Sequence, residues 1–240
     1  PYMQTYLQHV QEFGGANRVL VALVAKDGDM FTPEFFTALK EATDEVFFLP
    51  GVDRGRVSSL FTPNVRYTEV VEDGIAAGNV IPDDFSTSLE GLEAVRQNIL
   101  KAGIVGRLVA NDFSGAIISA ELLEVDPSTG EKLDVLRVSQ LLEEKVRQRF
   151  DAGFVPSSPV TVHILGFTKV IGDIADGARR VILFFVAAFL LITILVAIYS
   201  QLLRLALIVV TCSLVVVFWQ LGVIPLLGYG MDPMSILVPF

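Results

Sequence analysis

Few residues of this chain have the type and spacing that chemistry needs. Asp232 is the one acid near the apolar half of the sequence, and an acid inside a membrane span is a candidate for proton or ion coupling. It directly precedes Pro233, however, and that pair at the start of a helical run reads as an N-cap followed by a first-turn proline. His163 lies in Thr161-Val-His-Ile-Leu165 and His9 is the only other histidine, so no metal cluster can be assembled. His163 therefore reads as a hydrogen-bonded sheet residue. The lone cysteine, Cys212, falls inside an apolar run, which leaves no disulfide within the chain. With Ser213 it supplies small side chains for close helix packing. Trp219, Gln220 and Tyr229 suit the aromatic belt of a membrane interface. No glycine-rich phosphate loop, nucleophile elbow or zinc-type spacing is present in the sequence. No catalytic, cofactor-binding or metal-binding residue is assigned, substrate-binding positions stay open, and the expectation is a protein that is not an enzyme.

The elements that carry these residues are easier to read. Val181 to Ile198 holds 18 residues with no charge and only Thr193 polar. At 1.5 Å per residue such a helix is roughly 27 Å long, close to the hydrocarbon thickness of a bilayer. Leu205 to Leu227 is a second apolar run, broken by Thr211, Ser213, Gln220 and Pro225. The short link from Tyr199 to Arg204 predicts an antiparallel hairpin. The membrane region is thus expected over 181–240, with helices at about 181–199 and 205–227 and a third starting from 233. That third run stops at Phe240, so the chain reads as a piece of a longer protein.

Charge divides the chain as sharply as hydropathy does. Beyond Asp176 the charged residues are Arg179, Arg180, Arg204 and Asp232, so the first 176 residues hold 15 bases against 26 acids. An acidic domain with no basic patch argues against nucleic acid as a partner. It also predicts a domain that stands off anionic head groups.

Within that acidic part, 1–17 reads as a lead-in helix stopped by Gly14-Gly15. Arg18 to Ala25 is a continuous apolar run, expected as a central strand covered on both faces. Thr32-Pro33-Glu34 offers an N-cap, a first-turn proline and an acid at the positive end of a helix. Phe36, Leu39, Thr43 and Val46 follow at helical spacing, and Pro50-Gly51 ends the helix. Arg56 to Phe61 reads as a second strand. The segment 62–106 is an insertion that begins as an irregular arm and turns helical at Asp83-Asp84, with Phe85, Leu89, Leu92, Val95 and Ile99 on one apolar stripe. Arg107 to Ala110 and Ala116 to Leu123 read as strands around a turn. An amphipathic helix follows, with Val135, Val138, Leu142, Val146 and Phe150 inward and Glu143, Glu144, Lys145, Arg147 and Arg149 toward solvent. Pro159 to Gly166 is the last strand. Over 18–166, with the insertion removed, the order is β-α-β twice: an α+β ferredoxin-like (split β-α-β) domain. From 167 to 180, Phe167, Val170, Ile171 and Ile174 repeat at helical spacing, predicting a helical rod that continues into the first span.

A domain of this kind feeding a rod, a span, a tight loop and a second span resembles one half of a resistance-nodulation-division (RND) permease, most closely the MMPL-type exporters. The matching stretches are Gly14-Gly-Ala-Asn-Arg-Val-Leu-Val-Ala-Leu-Val24, Gly51-Val-Asp-Arg54, Phe61-Thr-Pro-Asn-Val65 and Val105-Gly-Arg-Leu-Val109. The likeness covers nearly the whole chain and rests on overall organisation more than on an invariant signature. It implies a periplasmic porter domain on a multi-pass protein of the bacterial inner membrane, followed by the second, third and beginning of the fourth membrane helices. It implies proton-driven export of hydrophobic or lipid-like molecules, with the relay acids beyond the end of this chain. The implied partners are membrane lipid, a lipid-like substrate, a second RND repeat of the same polypeptide, and a homo-oligomeric or periplasmic partner, without a cofactor or nucleic acid. Counting Arg179 and Arg180 against Arg204 favours a cytoplasmic domain instead, but large domains translocate largely regardless of charge. The other class of function compatible with these residues is a membrane-anchored ligand-sensing or protein-translocation accessory module.

Overall fold

A computed structural model describes residues 5, 17–72, 74–126, 129–201 and 203–226. His9, Tyr229, Asp232, the helix expected from 233 and all but Thr5 and Asn17 of the expected lead-in helix lie outside the described residues. The chain divides into two units, Pro1–Ile171 and Gly172–Phe240. It is a mixed α/β structure with small antiparallel sheets and one long apolar helix.

Strand β1 (Arg18–Ala25) is the centre of the first unit, hydrogen-bonded on one edge to β4 (Gly115–Glu121) and on the other to β5 (Val160–Gly166), both antiparallel. Val19, Val21, Leu23 and Ala25 are buried, whereas Leu20, Ala22 and Val24 are half-buried. Period-two alternation places these two sets on opposite faces, and among the described residues of the first unit the helices pack on the face of Val19, Val21, Leu23 and Ala25.

The covered face is packed by α1 (Pro33–Phe47), through Phe35, Phe36, Leu39, Ala42 and Val46, and by the helical stretch that begins with α3 (Val135–Leu142). The Thr32 hydroxyl accepts the amide of Phe35 at 3.3 Å and Pro33 opens the first turn, as the sequence predicts. A buried pair of hydroxyls, Thr43 and Ser59 at 2.8 Å, ties α1 to the chain that follows it.

That following segment differs from expectation. The strand expected over Arg56–Phe61 is a 3₁₀ turn at Arg54–Arg56, one bridge from Ser58 to Ser119 of β4, and tight turns at Ser59–Thr62 and Thr62–Val65. The Thr62 hydroxyl accepts the amide of Ser59 and donates to its carbonyl, a local bonding that competes with a ladder, and Pro63 has no N–H to give. Arg107–Ala110 is likewise not a strand. Gly106, at φ +80°, turns the chain so that only Val109 bridges β4, at Ala116. The outer edge of β4 is therefore covered piecemeal by Val52, Ser58 and Val109 rather than by one strand.

The irregular arm is a two-stranded ribbon, β2 (Arg66–Val71) and β3 (Gly74–Asn79), followed by α2 (Leu89–Ala102). This corrects the irregular arm expected from the sequence: the two strands pair antiparallel from Arg66 opposite Asn79 to Val71 opposite Gly74. Leu92, Val95 and Ile99 of α2 are buried in the main core, with Phe85 packed against it. Leu89, at the first helical position, is exposed and does not belong to the stripe.

After α3 the helix widens into a π turn at Glu143–Arg147 and closes with Gln148–Phe150. Val138, Leu142, Val146 and Phe150 are buried, Val135 partly so. Glu143 and Arg147 do not face solvent as expected. Both are half-buried, with Arg147 Nε at 3.5 Å and the buried Lys169 Nζ at 2.7 Å from Oε1 of Glu143. The widened turn swings these two side chains off the outer face. Lys169 lies in the first turn of α4 (Phe167–Ser200), and its burial with Thr168 shifts the start of the expected stripe: Phe167 and Val170 are exposed, while Ile171 and Ile174 are half-buried. Gly166 sets that rotation. At φ +139° a side chain there would be strained, and its Cβ would lie 2.5 Å from the carbonyl of Arg18.

In the second unit α4 continues to Ser200 and α5 spans Leu203–Leu226, with Gln201 at φ +49° between them. Among the described residues, α4 is the one helix long and apolar enough to cross a membrane, over Phe167–Tyr199. The described part of α5 offers only the shorter apolar stretch Leu207–Val216. Leu183, Phe184, Leu190 and Leu191 are exposed along α4, an apolar surface of the kind that marks a membrane or interaction face.

One buried carboxylate closes the first unit. Asp151 accepts the amides of Gly153 and Val162, each at 2.6 Å, joining the end of the π-containing helix to β5. Asp151→Ala strands both amides and is expected to cost about 1–3 kcal/mol, read as a lowered midpoint in denaturant unfolding. An unchanged midpoint would show that Asp151 does not hold the strand.

A candidate anion-binding groove on the open sheet face

The half-open face of β1 and β4 is the floor of a groove of about 750 Å³. Leu20, Ile117, Ser58 and Ser119 form that floor. Val65, Ile104 and Leu108, all buried, back the wall supplied by the insertion. Four arginines line it, Arg18, Arg56, Arg66 and Arg107, against one acid, Glu121. In a domain holding 15 bases against 26 acids this is a local inversion of charge. The absence of a basic patch expected from the sequence is corrected here: the fold assembles one from arginines that are at least ten residues apart in the chain.

Each arginine is placed by a different device. Arg18 opens β1 directly across from Glu121 in the register of the sheet. Arg56 ends the 3₁₀ turn that Asp53 caps through the amide of Gly55. Glu121 takes Arg18 on one oxygen at 2.6 Å and Arg56 on the other at 2.7 Å; Asp53 lies 3.6 Å from Arg56. Arg66 opens β2, and Arg107 sits on the turn that Gly106 makes. Among the described residues neither Arg66 nor Arg107 has an acidic partner within 4 Å. The wall residue Asn64 is already engaged, donating to the carbonyl of Val57 at 2.8 Å.

Electrostatics follow from these contacts. The hydrogen bonds from Arg18 and then Arg56 hold the Glu121 carboxyl below its ordinary range. The same contact, Glu121 first, raises Arg56. Glu121 is thus a fixed anion that occupies two of the four guanidinium groups. The other two, exposed and positive, stand over a floor in which Leu20 and Ile117 lie beside Ser58 and Ser119, an arrangement suited to an oxyanion such as carboxylate or phosphate. A second concavity of about 460 Å³ lies beside α1, but its arginine, Arg149, is paired with Glu41 and Glu45.

Of the described residues singled out in the sequence for their chemistry, none lines this groove. His163 is exposed on β5, across from Ala22. Cys212 is an exposed free thiol on α5; the hydroxyls of Thr211 and Ser213 bond back to Leu207 and Val209 of the same helix. Trp219 is exposed on α5, and Gln220 lies on the same helix. Among the described residues no cluster of three His, Cys, Asp or Glu side chains could hold a metal. Sequence reasoning missed the four arginines because they belong to four separate segments. The chain matches no known protein-family model and no curated protein.

The depressed Glu121 carboxyl has a defined consequence for pH. A group whose folded value is lowered stabilises the fold above its unfolded value, and that stability is lost as pH falls through the folded value. Glu121→Gln should therefore lower unfolding stability at neutral pH, with the gap to wild type closing as pH drops below about 4. A gap that does not depend on pH would show that the ion pairs contribute nothing.

Proposed function

We propose that this chain is the porter-like part of a proton-driven transporter of the RND/MMPL type, exporting hydrophobic or lipid-like molecules from the bacterial inner membrane. The observation that carries this reading is the helix α4. It begins at the last strand of an α/β domain and runs, without a break, through a stretch long and apolar enough to span a bilayer. A domain built onto such a helix is fixed beside the membrane in which a lipid-like cargo dissolves.

Two further features support it. The strand order β4-β1-β5, all antiparallel, with Ser58 bridging the far edge of β4, follows the spatial order of a ferredoxin-like split β-α-β sandwich whose second strand is reduced to one bridge. The groove joins an apolar floor to guanidinium groups, which suits an amphipathic cargo. In this reading α5 is a second span, the domain lies outside the cytoplasmic membrane, and the rest of the machine comes from further repeats of the same polypeptide or from partner copies.

The test is the full-length protein in proteoliposomes with an imposed pH gradient. Gradient-dependent movement of co-purifying lipid to acceptor vesicles is expected, and a flexible Gly-Ser-Gly-Ser insertion after Asp176 should reduce it to background while leaving insertion into the membrane intact. Lipid that stays bound with or without the gradient would favour the sensing module instead. Sidedness has its own measurement. In a Cys212→Ser background, single cysteines replacing Lys145 and Arg204 should respectively react with, and be spared by, an impermeant thiol reagent on spheroplasts. The reverse pattern would place the domain in the cytoplasm.

A further inference from the structure

We infer that the groove over β1 and β4 is a binding site for the acidic head group of an amphiphile, a carboxylate or phosphate held by Arg66 and Arg107 with its apolar tail over Leu20 and Ile117. This deepens the proposed export function by naming the charge of the cargo, and it rests on that reading only for the cargo being lipid-like.

The assignment of roles comes from which charges are already spent. Glu121 holds Arg18 and Arg56, and Asp53 adds to the compensation of Arg56. That leaves Arg66 and Arg107 as the groove's uncompensated positive charges among the described residues. Each guanidinium presents several N–H donors in a plane, which matches the paired oxygens of a carboxylate or phosphate. A neutral ligand would leave these charges unanswered, and a cation would be repelled.

The surroundings sharpen the choice. Acids outnumber bases across the rest of the domain, so an anion is disfavoured over most of the surface and drawn to this concavity. A bare inorganic anion would use the arginines but leave the floor idle. Leu20 and Ile117 are half-buried side chains on the sheet face opposite the one packed by α1 and α3, and covering their apolar surface adds affinity in proportion to the area removed from water. A groove of about 750 Å³ has room for a head group together with several methylenes of chain.

The experiment compares the full chain in nanodiscs of zwitterionic lipid with the double variant Arg66→Gln/Arg107→Gln, using octyl phosphate as the probe. A charge-matched control, Arg137→Gln/Lys145→Gln, removes two exposed bases that do not line the groove. Taking the difference between proteins cancels partition of the probe into the lipid. Losing two charge-assisted contacts should weaken binding by about tenfold or more, with the control close to wild type. The single variants should each lose part of that effect, which keeps the test open if the double variant unfolds. Inorganic phosphate and octanol should each bind far more weakly than octyl phosphate. Equal binding by the double variant and the control would overturn the site. Inorganic phosphate binding as tightly as octyl phosphate would overturn the role of the floor, and octanol doing so would overturn the role of the arginines. A failure here leaves gradient-driven export standing, whereas arginine-dependent binding without gradient-driven transfer would remove the export reading alone.

Discussion

The pairing of β1 on both edges is the constraint on which the first unit depends. A strand of eight residues in the middle of a sheet has its backbone donors and acceptors answered only if two neighbours run alongside it in register. β4 and β5 do so, from Arg18 opposite Glu121 to Ala25 opposite Val160. Everything else in the unit follows from that strip. α1 and the π-containing helix lie on the face that carries Val19, Val21, Leu23 and Ala25. Asp151 anchors the end of one helix to β5, and Gly166 turns β5 into α4 where only a glycine fits against the carbonyl of Arg18.

Covering one face and leaving the other half-open is what creates a site. The insertion does not float free of the domain. α2 contributes Leu92, Val95 and Ile99 to the common core, and the turn after it brings Ile104 to Leu108 over the edge of the open face. The groove is the space between that turn and the sheet. Its floor is apolar because the residues on the exposed side of β1 and β4 come from runs chosen for strand formation, and its rim is basic because four separate chain segments end there in arginine. Glu121 sits among them at the end of β4, where its single charge is shared by Arg18 and Arg56.

In the first unit the buried Lys169 is met by Glu143, and the exposed Arg18 and Arg56 share Glu121. In the second unit, α4 from Val181 to Ile198 carries no charge at all, and Leu183, Phe184, Leu190, Leu191 and Leu195 are exposed along it. An apolar cylinder of that length is stable when hydrocarbon surrounds it, and its backbone is satisfied within the helix itself. Thr193 follows the same rule, returning its hydroxyl to the carbonyl of Phe189.

The sequence by itself determined the local features. The run Arg18–Ala25, the cap at Thr32-Pro33, the buried stripe Val138, Leu142, Val146 and Phe150, and the long apolar helix are all legible, because periodicity, capping and hydropathy act over a few residues. The ribbon of β2 and β3 is not: that stretch reads in the sequence as an irregular arm. What only the tertiary structure decided is which face of β1 is packed by the helices, that the segment after α1 pairs through the isolated bridges of Val52 and Ser58, and that a π turn carries Glu143 inward to Lys169 and Arg147. It also decided the groove. Arg18, Arg56, Arg66 and Arg107 are separated along the chain by residues of both signs, and nothing in their local spacing marks them as neighbours. They meet because strand register sets Arg18 against Glu121, while loop closure brings the other three to the same edge. Charge clustering of this kind is a property of distances in space, and distances in space are set by the packing of the core.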